Sequence, residues 1–225
     1  MTISILAFDR KTGSYGGAAT TGSLCVGGWV LRGDPESGLS AAQGSLPSTL
    51  WGTGVLDRMR AGTSAPDAVA AVTAPDAGRA HRQLAALDPQ GGTGHFTGAD
   101  SIPAAAARTA PGVVVAGNLL SSEAVLDACL QGFLNAQGTM PERLLAALRA
   151  ASDAGGDSRG LLSAALLVVG RAAPPLTLRI DHSDTPLADL TDLHRRATTG
   201  HYADWARLVP TLDAPERAQP WQAQG

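Results

Sequence analysis

The chain has 225 residues, 44% hydrophobic and only 4% aromatic, and its mean hydropathy is +0.03. That describes one large globular domain, or two small ones, with ample length for a core. A net charge of −3 offers no electrostatic case for nucleic acid or an anionic membrane as partner.

Thr2 to Asp9 opens with alternating character and β-branched residues and reads as a strand. Asp9 to Gly13 is turn chemistry, and Ser14 to Thr21 completes a hairpin. Cys25 to Leu31 and Gly38 to Gln43 read as two more strands around the turn at Gly33-Asp34-Pro35-Glu36. From Ser48 the period becomes helical, with Leu50, Val55, Leu56 and Met59 on one face, Ser48 or Thr49 as cap and Gly62 as stop. Ala65 to Ala74 is a second helix, with Pro66 near its start. Arg82 to Asp88 and Thr93 to Thr97 predict a hairpin turned by Pro89-Gln90-Gly91-Gly92. Gly112 to Gly117 is a buried strand leading into Asn118. Ser121 to Ala136 and Pro141 to Ala154 are antiparallel helices. Ser163 to Val169, a short apolar run, reads as a buried strand with both faces covered, and Leu176 to Ile180 as another. Thr185 to Ala197 is a last helix before a polar, partly helical tail.

Strands, two helices, strands, two helices and strands is not the alternation of a doubly wound sheet. It predicts an α+β fold, a four-layer αββα sandwich in which two largely antiparallel sheets lie between helical layers. The domain is expected to span residues 1–200, and residues 201–225 to form the tail.

Chemistry-bearing residues collect at strand ends. Removal of Met1 would leave Thr2 with a free α-amine beside its hydroxyl, and an N-terminal threonine can use that amine as its general base. Many chains begin Met-Thr without such a role. Asn118, at a strand-to-helix junction, suits either an oxyanion donor or a turn that satisfies local backbone groups. Asp157 and Arg159 stand among Gly155, Gly156 and Gly160, a loop that suits a site or, equally, a helix C-cap followed by a surface ion pair. Gln43 ends a strand before Gly44-Ser45, and Thr21 and Ser23 flank Gly22; all three are candidates for substrate binding at the same mouth.

No metal site is expected, because His81, His95, His182, His194 and His201 are scattered and Cys25 and Cys129 lack ligand spacing. No cofactor motif is present. The N-terminus lacks a basic start followed by an apolar run and a cleavage site, and a cytoplasmic location is the expectation. A homo-oligomer, a dimer, is expected through the surface around Trp29, Leu31, Leu50 and Trp51.

Three segments carry a resemblance: the opening TISILAFD, the central AGN-L-L before a helix, and AGGD-x-RG-xx-SAALLVV. Together they resemble the DUF1028 family, an uncharacterised bacterial and archaeal group placed in the N-terminal-nucleophile (Ntn) hydrolase superfamily, over about Thr2 to His194. The resemblance implies an αββα sandwich and an amide as the bond attacked. Thr2 would be the nucleophile, Asn118 would match the family's Gly-Asn motif, and Asp157 and Arg159 its GGD-x-RG motif. Family members often show Ser-Lys where this chain has Thr21-Gly22, so the cation that lowers the amine pKa in proteasome-like Ntn enzymes is not supplied at that place. The functional expectation is an amidohydrolase acting on a small linear or cyclic amide. The alternative is a non-catalytic small-molecule-binding or structural protein that keeps the Ntn fold.

Overall fold

The N-terminal hairpin forms as its alternation predicts, β1 (Thr2–Asp9) pairing antiparallel with β2 (Ser14–Thr21) across a turn in which Asp9 Oδ1 accepts from Lys11 N at 2.9 Å. The structure is a computed structural model and describes residues 2–156 and 160–218. The next segment departs from expectation. Cys25 to Leu31 is not a strand: Cys25 adopts φ 60°, a single helical turn α1 (Val26–Trp29) follows, and β3 (Leu31–Asp34) begins only afterwards. The Val-Gly-Gly-Trp sequence carries its glycines for close approach, since a Cβ on Gly27 would lie 2.7 Å from the Ala165 Cβ and 2.8 Å from Arg179 Cγ.

β4 (Gly38–Gly44), α2 (Thr49–Arg60) and α3 (Ala65–Thr73) match the sequence reading, with Ser48 and Ser64 as N-caps accepting from Trp51 N and Asp67 N. β5 (Arg82–Leu87) and β6 (Thr93–Thr97) form the predicted hairpin. Its turn is held by Asp88, which is buried and accepts from Gln90 N at 3.0 Å, Gly92 N at 2.7 Å and, across the fold, Ala65 N at the start of α3 at 2.9 Å. Asp88→Ala would strand those three N–H groups. It is expected to cost about 2–4 kcal/mol, read as a lower urea midpoint at unchanged slope.

β7 (Ala106–Ala110) has no apolar alternation and was not legible; β8 (Val113–Asn118) supplies its ladder partner. α4 (Ala124–Asn135) starts later than the sequence suggests, with Glu123 rather than Ser121 or Ser122 at its N-cap and no side-chain cap bond. α5 (Met140–Asp153) opens with a capping box between Thr139 and Glu142. β9 (Ser163–Val169), β10 (Leu176–Ile180), α6 (Pro186–Thr198) and α7 (Gly200–Ala206) complete the order.

The strands form two antiparallel sheets, a six-stranded one in the order β10-β9-β2-β1-β8-β7 and a four-stranded one in the order β3-β4-β5-β6. Alternation assigns their faces. On the six-stranded sheet Ile3, Ile5, Val113, Val115 and Leu166 pack with Leu126, Phe133, Leu144 and Leu148 of α4 and α5. On the four-stranded sheet Ala42, Leu84 and Ala86 pack with Trp51, Val55 and Met59 of α2 and Val69 and Val72 of α3. The remaining faces meet each other through Leu6, Ala19, Val114, Ala116 and Ala165 on one sheet and Leu39, Ala41, Ala85 and Leu87 on the other.

This packing corrects half of the expected oligomer surface. Trp51 and Leu31 are buried in the chain's own core, while Trp29 and Leu50 remain exposed. Cys129 lies wholly buried on α4, and burial pushes its thiol up to about 12. Cys25 is partly exposed. Iodoacetamide at pH 8 is therefore expected to label Cys25 alone in the folded protein, with Cys129 following only on denaturation; two labels without denaturant would contradict the packing. Among the described residues no helix is long and apolar enough to cross a membrane.

Candidate functional site

The inter-sheet core changes chemistry at one end. Along β1 the face that buries Leu6 continues through Ser4 to Thr2, and along β2 the face of Ala19 ends at Thr21. Along β8, Val114 and Ala116 lead to Asn118, along β4, Ala41 leads to Gln43, and along β5, Leu87 and Ala85 run back to Gln83. Period-two geometry thus delivers five polar side chains to one mouth between the sheets. Register does the rest, because Thr2 is the cross-strand partner of both Thr21 and Asn118, and Gln43 is the partner of Gln83.

Gln83 organises the mouth. It is 1% exposed, and its Nε2 donates to Gly117 O at 3.0 Å, Ala106 O at 3.1 Å and Thr97 Oγ1 at 2.9 Å. Two of those acceptors are backbone carbonyls, which fixes which end of the amide is nitrogen. Its Oε1 must then accept, and it receives Gln43 Nε2 at 2.8 Å and Asn118 Nδ2 at 3.2 Å. Gln43 Nε2 also reaches Thr2 O at 3.4 Å. One buried side chain therefore ties β4, β5 and β6 of one sheet to β7 and β8 of the other. The Gln43 oxygen, equally buried, has no hydrogen-bond partner.

Above this floor lies a cavity of about 590 Å³, within the usual range for small-molecule sites. Thr2, Thr21, Ser23 and Gln43 line it, four of the seven residues expected from sequence. Thr2 Oγ1 and Thr21 Oγ1 are 3.1 Å apart and share a proton in a hydrogen bond. Gly44, with φ 124°, also contributes to the wall; a Cβ there would come within 2.6 Å of His81 O. The wall carrying Ser23 is fastened by Ser163, whose Oγ donates to Ser23 O at 2.7 Å and accepts from Val26 N at 3.1 Å.

Asn118 stands beside Thr2 on the neighbouring strand but is not part of the cavity lining; its amide is directed to Gln83. The junction that follows it is longer than a direct strand-to-helix turn, with Leu119 at φ 55° and its N–H bonded to Ile102 O at 2.8 Å. Asp157 and Arg159 lie outside the described residues. Upstream of them Gly155 N and Gly156 N close the end of α5 on Ser152 O and Ala151 O, so the helix-cap part of the expectation holds for that segment. Downstream, Leu162 N donates to Thr21 O at 2.9 Å.

Sequence reasoning missed Gln83 and Arg82. The signal for Gln83 was a polar residue in period-two register with Ala85 and Leu87. Arg82 also lines the cavity, but its guanidinium is committed: Nη1 pairs with Asp76, Nε donates to Leu46 O at 2.9 Å, and the group lies 5.8 Å over the Trp51 ring. Desolvation raises the Asp76 carboxyl, yet the Gly78 N–H and the Arg82 guanidinium together hold it below its ordinary value. Among the described residues no cluster of three or more His, Cys, Asp or Glu side chains could hold a metal ion.

The comparisons agree with one another. A family model described as a family of unknown function, DUF1028, matches residues 2–190. The crystal structure of protein SPO2555 from Silicibacter pomeroyi, assigned to the DUF1028 family model, is similar at 51% identity with a TM-score of 0.92, covering 96% of this chain and 98% of that one. No curated protein matches. With the β1 hairpin, the β8 strand and the β9 strand all inside the matched span, the chain belongs to the DUF1028 family, a family of unknown function.

Proposed function

We propose that the protein is an amidohydrolase of the Ntn type, built on a four-layer αββα sandwich, with Thr2 as nucleophile once Met1 is removed. The observation that carries this reading is the position of Thr2, the first residue of a central strand, with its hydroxyl on a cavity at the polar end of the inter-sheet core. In this reading Thr2 Oγ1 attacks the carbonyl carbon of a small linear or cyclic amide while the α-amine of Thr2 takes the hydroxyl proton. The tetrahedral oxyanion collapses with cleavage of the C–N bond, the proton passes to the leaving nitrogen, and water then hydrolyses the acyl-threonine ester. Thr21 Oγ1, at 3.1 Å, orients the nucleophile. Asn118, adjacent to Thr2 in register, has a second amide N–H beyond the one given to Gln83, and the reading assigns it to the oxyanion. Asp157 and Arg159 orient the amine or a substrate carboxylate. No cofactor enters the scheme.

The missing family lysine need not remove activity. A free α-amine titrates at about 7.7–8.0 without help, so a large share is neutral at mildly alkaline pH. One observation favours a second reading, a small-molecule-binding protein without catalysis: the only described cation on the cavity wall, Arg82, is committed to Asp76 and Leu46 rather than to Thr2. Intact-mass measurement on freshly purified protein, followed by an amide-hydrolysis screen, separates the two. A mature chain beginning at Thr2 with turnover supports the hydrolase; a chain uniformly retaining Met1 excludes the mechanism.

A further inference from the structure

The cavity has two materials. Its polar groups Thr2, Thr21 and Gln43 gather at one part of the lining, with the buried Val26 and Val30 also on the wall, while Leu24, Trp29 and Leu46, which are 55%, 53% and 59% exposed, stand at the mouth beside Ser23 and Ser45. Among the described residues five large apolar side chains are more than half exposed, and three of them border one concave site that also holds Thr2. Isolated exposed apolar residues need no explanation, but a cluster around a cavity mouth marks a binding surface. The charged group on this wall, Arg82, already has its partners. We infer that the cavity takes an amphipathic amide, its carbonyl and nitrogen at the Thr2–Thr21 floor and an uncharged apolar group of several carbons lying across Leu24, Trp29 and Leu46. This names the substrate class of the proposed site and rests on that reading for the place of the polar end.

Geometry favours this occupant over a short polar amide. A molecule the size of acetamide would fill the floor and leave most of the 590 Å³ to water, with the apolar rim still wetted. A longer apolar arm removes that rim from water without needing any new polar contact. The gain is then set by the number of methylenes covered, and the floor sets the orientation.

The test is a series of acetamide, butyramide and hexanamide titrated by ligand-observed NMR against the full chain, in wild type and in Thr2→Ala. Affinity is expected to rise about threefold to fourfold per added methylene, and the rise is expected to survive in Thr2→Ala because it belongs to the rim. Trp29→Ser and Leu46→Ser, at exposed positions that do not support the core, are each expected to flatten the dependence on chain length. Affinity independent of chain length, or no binding by any of the three, overturns the inference. So does a slope that persists unaltered in both rim variants. If Trp29→Ser instead converts a dimer to monomer and leaves the slope intact, the rim is an interface between copies and the inference falls. Hydrolysis is followed separately in wild type. Turnover indifferent to chain length would sink the rim proposal and keep Thr2, whereas a chain-length slope in binding with no turnover of any amide would do the reverse.

Discussion

Thr2→Ala is expected to abolish amide hydrolysis, with a loss of at least about 10⁴-fold in kcat. The hydroxyl is the proposed attacking group, and its neighbours on the cavity floor offer no replacement in the same place: Thr21 Oγ1 is 3.1 Å away and has no α-amine beside it. Thr2→Ser keeps both the nucleophile and the amine and is expected to retain measurable turnover. The alanine variant should fold normally, because Thr2 is only partly buried and Gln43 reaches its backbone carbonyl rather than its side chain. Unchanged melting beside lost turnover distinguishes a chemical role from a structural one. The pH profile adds a second readout. If the α-amine is the base, kcat/KM rises as the amine loses its proton, through about pH 7.7–8.0 for an unassisted amine. A midpoint well below that would place a cation near the amine. Full activity in Thr2→Ala would leave the Ntn reading without its nucleophile.

Replacement of Gln83 is expected to loosen the join between the two sheets. Gln83→Leu removes the acceptor shared by Gln43 Nε2 and Asn118 Nδ2, leaving Gln43 only its 3.4 Å contact with Thr2 O and one buried Asn118 N–H without its partner. The carbonyls of Ala106 and Gly117 lose less, since their residues also pair in the β7–β8 ladder. A cost of about 2–4 kcal/mol is expected. Gln83→Glu is the informative companion. It keeps an acceptor for Gln43 and Asn118 but turns the donating end into a second oxygen facing two carbonyls, so it should also destabilise, and increasingly as pH rises and the carboxyl ionises. The readouts are urea unfolding for stability and binding of hexanamide for the floor. Stability close to wild type in Gln83→Leu would mean that the network is not what joins the two sheets at the mouth.

Several elements were decided locally. The alternation of Thr2 to Asp9, the serine caps of α2 and α3, and the Pro-Gln-Gly-Gly turn after Asp88 depend on residues close in sequence, and their positions follow from propensity and period alone. Four of the seven candidate residues fall on the cavity lining for the same reason, being polar groups where apolar strands end. The Gly-rich stretch from Val26 was misread because nothing local distinguishes a glycine-containing strand from a turn pressed against β9; the close approach of Gly27 to Ala165 and Arg179 is a fact about another part of the chain. β7 escaped for a related reason. Ala-Ala-Arg-Thr-Ala has no burial pattern of its own, and its extended shape comes from pairing with β8 and from Arg108 reaching Asp127 and Glu123. Trp51 could not be told from Trp29 by composition; one fills the core under α2 and the other borders the cavity. Gln83 meets Gln43, 40 positions away, through the β4–β5 ladder, and meets Asn118, 35 positions away, only because the two sheets stack. A single strand reveals which of its faces is apolar, but only the opposing sheet determines what its polar end will meet.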